Sequence, residues 1–147
     1  MGLFFWEDGK MDWRECNKKR LVKKVSVDSN LVASLLNSSS KKMETQKMLE
    51  LNEVTAASKV SLAYDALREL LEAVAISNGY KIYNHDCYCA FLKEILIKSE
   101  LGDEFDDYRK LRNQINYYGK EISVVEAGAI LENLGRFLKK IRMLVRI

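Results

Sequence analysis

A chain of 147 residues, 48% hydrophobic and 31% charged, is long enough to bury a core as one domain and too apolar to stay disordered. Its formal net charge of +3 permits contact with a polyanion, but dedicated nucleic-acid binders concentrate much more positive charge. Three cysteines, Cys16, Cys87 and Cys89, do not make a disulfide framework, and an odd count fits a reducing compartment.

The N-terminus is apolar at Phe4, Phe5 and Trp6 but is broken by Glu7 and Asp8, so it reads as neither a signal peptide nor a membrane span. A cytoplasmic setting follows by default. Residues 1–24 read as a mixed aromatic and basic arm, and residues 25–147 as a single helical domain. Three adjacent large side chains resist staying in water, so the arm is expected to pack on the bundle or on a partner subunit. The chain has no proline, which removes the strongest helix breaker.

The first predicted helix starts at an Asp28 or Ser29 cap and runs to about Leu49. Leu31, Leu35, Leu36, Met43 and Met48 supply its apolar positions, and Ser38-Ser39-Ser40 weakens its middle. The second opens at Asn52 or Thr55 and has the cleanest periodicity: Val60, Ala63, Tyr64, Leu67, Leu70, Leu71, Val74 and Ala75 recur at threes and fours. It ends at Asn78-Gly79, a left-handed cap. The third covers roughly 84–98, capped by Asn84, with Cys87, Phe91, Ile95 and Leu96 inward. Gly102-Asp103 then predicts a turn. The fourth, about 104–118, starts with the acids Glu104, Asp106 and Asp107, which suit the helix dipole, and stops at Gly119. Ser123-x-x-Glu126 is a capping box that opens the fifth. Its apolar face runs through Val124, Ala127, Ile130, Leu131, Leu134, Leu138, Ile141 and Val145. The predicted fold class is all-α, an up-and-down bundle of about five helices behind an N-terminal arm.

Arg136, Lys139, Lys140, Arg142 and Arg146 follow one another with no acidic residue among them. They read as a solvated helix face or as a binding stripe. Cys87-x-Cys89 beside His85 does not fit a structural zinc site, which needs four ligands at a wider cysteine spacing. No metal and no cofactor is expected.

Tyr108-Arg-Lys-Leu-Arg-Asn-Gln-Ile-Asn-Tyr-Tyr-Gly119 is the segment richest in chemistry. At 100° per residue, Tyr108, Leu111, Ile115 and Tyr118 share a face assigned to the core. Arg109, Arg112, Asn113 and Asn116 fall on the other side. Two guanidinium groups flanked by amides suit a phosphate cradle, because arginine presents a planar fork of donors. The same pair also suits plain charge neutralisation by Asp103, Asp106, Asp107 or Glu72. His85, the one histidine, stands either as a proton-transfer group near Arg112 or as a turn residue bonded to backbone or Asp86. Lys81, Tyr80 and Tyr83 extend a phosphate-binding rim or simply pack the loop.

Three segments in order resemble the HEPN family of small helical bundles over roughly residues 28–145. They are Tyr64-Asp-Ala-Leu-Arg-Glu-Leu-Leu-Glu-Ala-Val, Asn78-Gly-Tyr-Lys-Ile-Tyr-Asn-His85 and the Tyr108–Gly119 stretch. The resemblance implies a homodimer whose fourth helices meet at a shared cleft. In active members an arginine, followed after four to six residues by a histidine, makes a metal-independent ribonuclease. Many such members are toxins encoded beside a minimal nucleotidyltransferase antitoxin. Arg112 matches the family arginine and Asn113 the polar residue after it. The histidine slot falls on Tyr117, or on Tyr118 or Gly119 at longer spacing. Histidine exchanges protons near neutral pH, whereas tyrosine titrates near 10. With Arg112 and Asn113 from the resemblance and Arg109, Asn116, His85 and Lys81 from the residue chemistry, the reading is a protein that binds RNA, a nucleotide or a partner protein through these residues, with weak or no nuclease activity. The alternative is a working endoribonuclease toxin that uses Arg112 with Tyr117 or His85.

Overall fold

A computed structural model describes residues 11–146. Phe4, Phe5 and Trp6 lie outside the described residues. The protein is an all-α bundle carrying one two-stranded sheet. Its elements are α1 (Trp13–Lys18), β1 (Val22–Lys24), α2 (Ser29–Met48), α3 (Ala56–Ser77), β2 (Tyr80–Ile82), α4 (Asp86–Ala90), a π-helical turn (Phe91–Ile95), α5 (Ser99–Tyr118) and α6 (Val124–Arg142). Among the described residues, no helix is long and apolar enough to cross a membrane.

α3 is the central helix, and its apolar periodicity explains why. Leu67, Leu71, Ala73, Val74 and Ala75 have no exposed surface, and Val60 and Leu70 almost none. α2 and α6 pack along it and α5 leans on it. The caps fall where the side chains provide them. The Asp28 carboxylate accepts from Leu31 N–H at the start of α2. Ser123 and Glu126 close a reciprocal capping box at α6. Gly79 and Gly119 take the left-handed conformations (φ 88° and 65°) that end α3 and α5. Ser39, in the serine run, is buried and donates to the carbonyl of Ala66, so the run becomes a contact point between α2 and α3.

Several expectations are corrected. The third predicted helix is two pieces: α4, then a wider π turn that ends at Ile97 in a left-handed conformation (φ 56°). Gly102 is not in a turn but inside α5. A Cβ there would sit 2.6 Å from the Lys93 side chain and 3.1 Å from the Cys89 carbonyl, so glycine lets α5 approach α4 closely. Met48, expected to be apolar and inward, is 82% exposed at the end of α2.

Residues 13–24, read as part of an arm, belong to the body. The Trp13 ring meets Tyr80 edge-on at 5.4 Å and Phe91 at 5.9 Å, and its backbone N–H donates to the Glu94 carboxylate. β1 pairs antiparallel with β2, Val22 facing Ile82. Cys16 is fully buried and disulfide-bonded to Cys87, with Cα atoms 6.1 Å apart. The cysteine count therefore resolves as one bonded pair and a buried thiol, Cys89. The expectation of unpaired cysteines fails because α1 folds back over the start of α4 and brings together two residues 71 positions apart.

Candidate functional site

α5 carries both arginines, but the fold treats them differently. Arg109 is buried (7% exposed). Its Nε and Nη2 donate to Asp106 Oδ1 at 3.0 and 2.8 Å, and its Nη1 lies 2.9 Å from Asp86 Oδ1. Asp106 comes from one turn earlier on α5, whereas Asp86 opens α4. Burial pushes the Asp86 carboxyl up, and the Arg109 guanidinium opposes that shift. Arg109 thus staples α4 to α5. This is the neutralisation reading of the arginine pair, and for Arg109 it holds through Asp106.

Arg112 has no such clamp. Its guanidinium lies over the face of Tyr64, 5.4 Å from the ring centre, and its closest carboxylate contact is Asp65 at 3.8 Å. Its Nε is buried and finds no hydrogen-bond partner among the described residues. Tyr64 is itself buried, stacked on Phe105 at 6.2 Å, and its hydroxyl lies 3.5 Å from His85 Nδ1. One cluster therefore joins Tyr64, Asp65 and Arg68 of α3, His85 at the head of α4 and Arg112 of α5. Sequence reading named Arg112 and His85 but missed Tyr64, Asp65 and Arg68. The signal was present: Tyr64 and Arg68 stand one turn apart on α3, with Asp65 beside them.

The field in the cluster is positive. Burial, then the charges of Arg68, Arg112 and Arg109, hold His85 down at about 4. Burial pushes the Tyr64 hydroxyl well above the usual tyrosine value despite the same arginines. At neutral pH both groups are uncharged; Arg109 is paired with Asp86 and Asp106, whereas Arg112 has only Asp65, at 3.8 Å. Guanidinium donors beside a neutral imidazole are groups that could pair with an anion such as phosphate. By NMR, the single histidine should titrate near pH 4, and Arg112→Ala should raise that midpoint by removing a positive charge. A midpoint near 6.5 in the folded protein would contradict the arrangement. Because folding lowers the His85 pKa from 6.5 to about 4, the unfolded chain takes up its proton first. Stability is therefore fully present above pH 6.5 and declines as pH falls toward 4, by on the order of 1 kcal/mol after discounting for partial exposure.

The other sequence-predicted residues do not join the cluster. Tyr117 is 70% exposed, about 140° around α5 from Arg112. Tyr118, assigned to the core, is 82% exposed, because the inward packing of α5 ends with Leu111 and Ile115 and Tyr118 lies beyond it. Asn116 is exposed, with its Oδ1 accepting from the Ser61 hydroxyl at 3.4 Å, and Asn113 is half-buried. Lys81 lies in β2, ion-paired with Glu72 at 3.2 Å and 5.9 Å from the Tyr83 ring centre. Tyr80 packs on Trp13 and Phe91. Cys87 is bonded to Cys16, and Cys89 Sγ donates to the Gly102 carbonyl, so the two sulfurs do not converge with His85. No family model matches the chain, and no curated protein or solved structure matches it.

Proposed function

We propose that the protein is a HEPN-like homodimer that binds RNA or a nucleotide at the Arg112 cluster, with weak or no nuclease activity. The carrying observation is Arg112 itself, with a buried Nε that lacks a partner, an aromatic face beneath it and a neutral histidine beside its support. Cleavage through a ribose hydroxyl needs one group that takes a proton and another that gives one near pH 7. His85, held at about 4, is a weak base and is already deprotonated, and the Tyr64 hydroxyl is pushed up, away from neutral pH. Phosphate binding needs neither transfer. These features support binding over catalysis. A partner protein presenting a phosphate or carboxylate would use the same donors. A nucleotidyltransferase antitoxin remains the partner of the toxin alternative.

Fluorescence anisotropy with a labelled single-stranded RNA at low salt tests the reading. Binding should weaken at least tenfold in Arg112→Ala, and the RNA should stay intact over hours. Cleavage that disappears in Arg112→Ala would replace this reading with the endoribonuclease one. A monomeric mass by light scattering at micromolar concentration would remove the dimer. The same reading expects a cytoplasmic setting, where thiols are kept reduced, and the Cys16–Cys87 bond stands against that expectation. A Cys16–Cys87 bond that persists in protein alkylated at the moment of lysis would argue against that setting.

A further inference from the structure

The basic run near the C-terminus has a counterpart across a groove. α2 and α6 both pack on α3 but leave between them a channel of about 510 Å³. Leu70 of α3 and Leu138 of α6, both buried, line it with the partly buried Met43 and Leu131. Four exposed cations edge this apolar strip: Lys47 on the α2 side, and Arg136, Lys139 and Arg142 on the α6 side. Glu44 and Glu132 are the only acids in the lining, and Glu132 lies 3.8 Å from Arg136. Gly135 keeps the α6 wall low, since a Cβ there would meet nothing within 4 Å.

We propose that this groove seats an acidic amphipathic helix of a partner protein, its apolar residues on Leu70, Leu131 and Leu138 and its carboxylates toward the four cations. The wall from Leu131 to Arg142 is about 16 Å long, which matches about three helical turns. Cations flanking an apolar strip fit the helix-in-groove mode, in which apolar anchors give affinity and flanking charge gives selectivity. A nucleic acid fits less well. The lining offers no aromatic ring for a base to stack on, and Glu44 and Glu132 would face a continuous polyanion. The groove also faces away from Tyr64, Asp65 and Arg68, as 100° per residue places Leu70 about 120–160° around α3 from them. It is independent of the Arg112 cluster, and the two sites can fail separately.

The test uses a fluorescein-labelled fifteen-residue helical peptide with leucines at helical spacing and glutamates on both flanks, beside a twin with lysine for every glutamate. The acidic peptide should bind saturably and the basic twin at least tenfold more weakly. Arg136→Glu with Lys139→Glu should weaken the acidic peptide at least tenfold, with helicity unchanged by circular dichroism. Lys140→Glu, on the same helix but outside the lining, should change it less than twofold. Methyl resonances of Met43, Leu131 and Leu138 should shift on binding. No saturable binding, or equal binding of the twin, overturns the proposal. Oligouridylate moving the same methyls would assign the groove to nucleic acid and overturn it. So would methyl shifts that depend on protein concentration without peptide, which would give the groove to a second copy of the chain.

Discussion

Replacing Arg109 with alanine should destabilise the protein by up to about 3–5 kcal/mol, because it removes the bidentate partner of the buried Asp106 and a close partner of the half-buried Asp86. Asp106 is 2% exposed and accepts from Arg109 Nε and Nη2 at 3.0 and 2.8 Å. Asp86 is held at 2.9 Å from the third nitrogen. Lys110, 3.3 Å from Asp106 Oδ2, screens part of the loss but does not reach into the Arg109 position. Arg112→Ala, by contrast, should stay within about 1 kcal/mol, since it gives up a loose pair at 3.8 Å and one cation–π contact. Urea denaturation of the two variants separates the roles. Equal losses would mean that Arg112 is also a staple, and the case for a ligand at that residue would weaken.

Removing the Cys16–Cys87 bond, which joins residues 71 positions apart, should cost about 2–4 kcal/mol, the typical range for a disulfide. The effect should concentrate on α1. This helix has only six residues, and among the described residues its other anchors include the Trp13 ring contacts and a backbone bond to Glu94. Hydrogen exchange under reducing conditions should show α1 and β1 opening well before α3. Cys87 is also two residues beyond His85, so loosening α1 should raise the mobility of the His85 end of the cluster. A Cys16→Ala, Cys87→Ala variant with unchanged stability and unchanged exchange in α1 would show that packing alone holds this segment.

The parts of the fold that depend on local chemistry were legible in the sequence. The α3 periodicity, the Asp28 cap, the Ser123–Glu126 box and the glycine stops at 79 and 119 each require only neighbours within a turn or two. What was not legible depends on residues far apart. Arg109 and Arg112 lie three positions apart on the same helix, and a helical wheel cannot say which one meets Asp86 from α4. The disulfide depends on α1 folding back across 71 positions. Gly102 looked like a turn because its helical role is set by the close passage of Lys93 and Cys89. His85 was recognised as the one histidine, but its neighbours Tyr64 and Arg68 come from a helix that its own loop does not reveal.

In the proposed function, Arg112, Tyr64, Arg68 and His85 form one phosphate-accepting cluster. His85 reports on it directly, because the chain has a single histidine and its resonances need no deconvolution. Titrating the protein with a short RNA or with AMP while following the imidazole by NMR should shift its resonances saturably and raise its pKa from about 4, as bound phosphate offsets the arginine charges. A histidine whose resonances and pKa stay unchanged at saturating ligand would contradict the account.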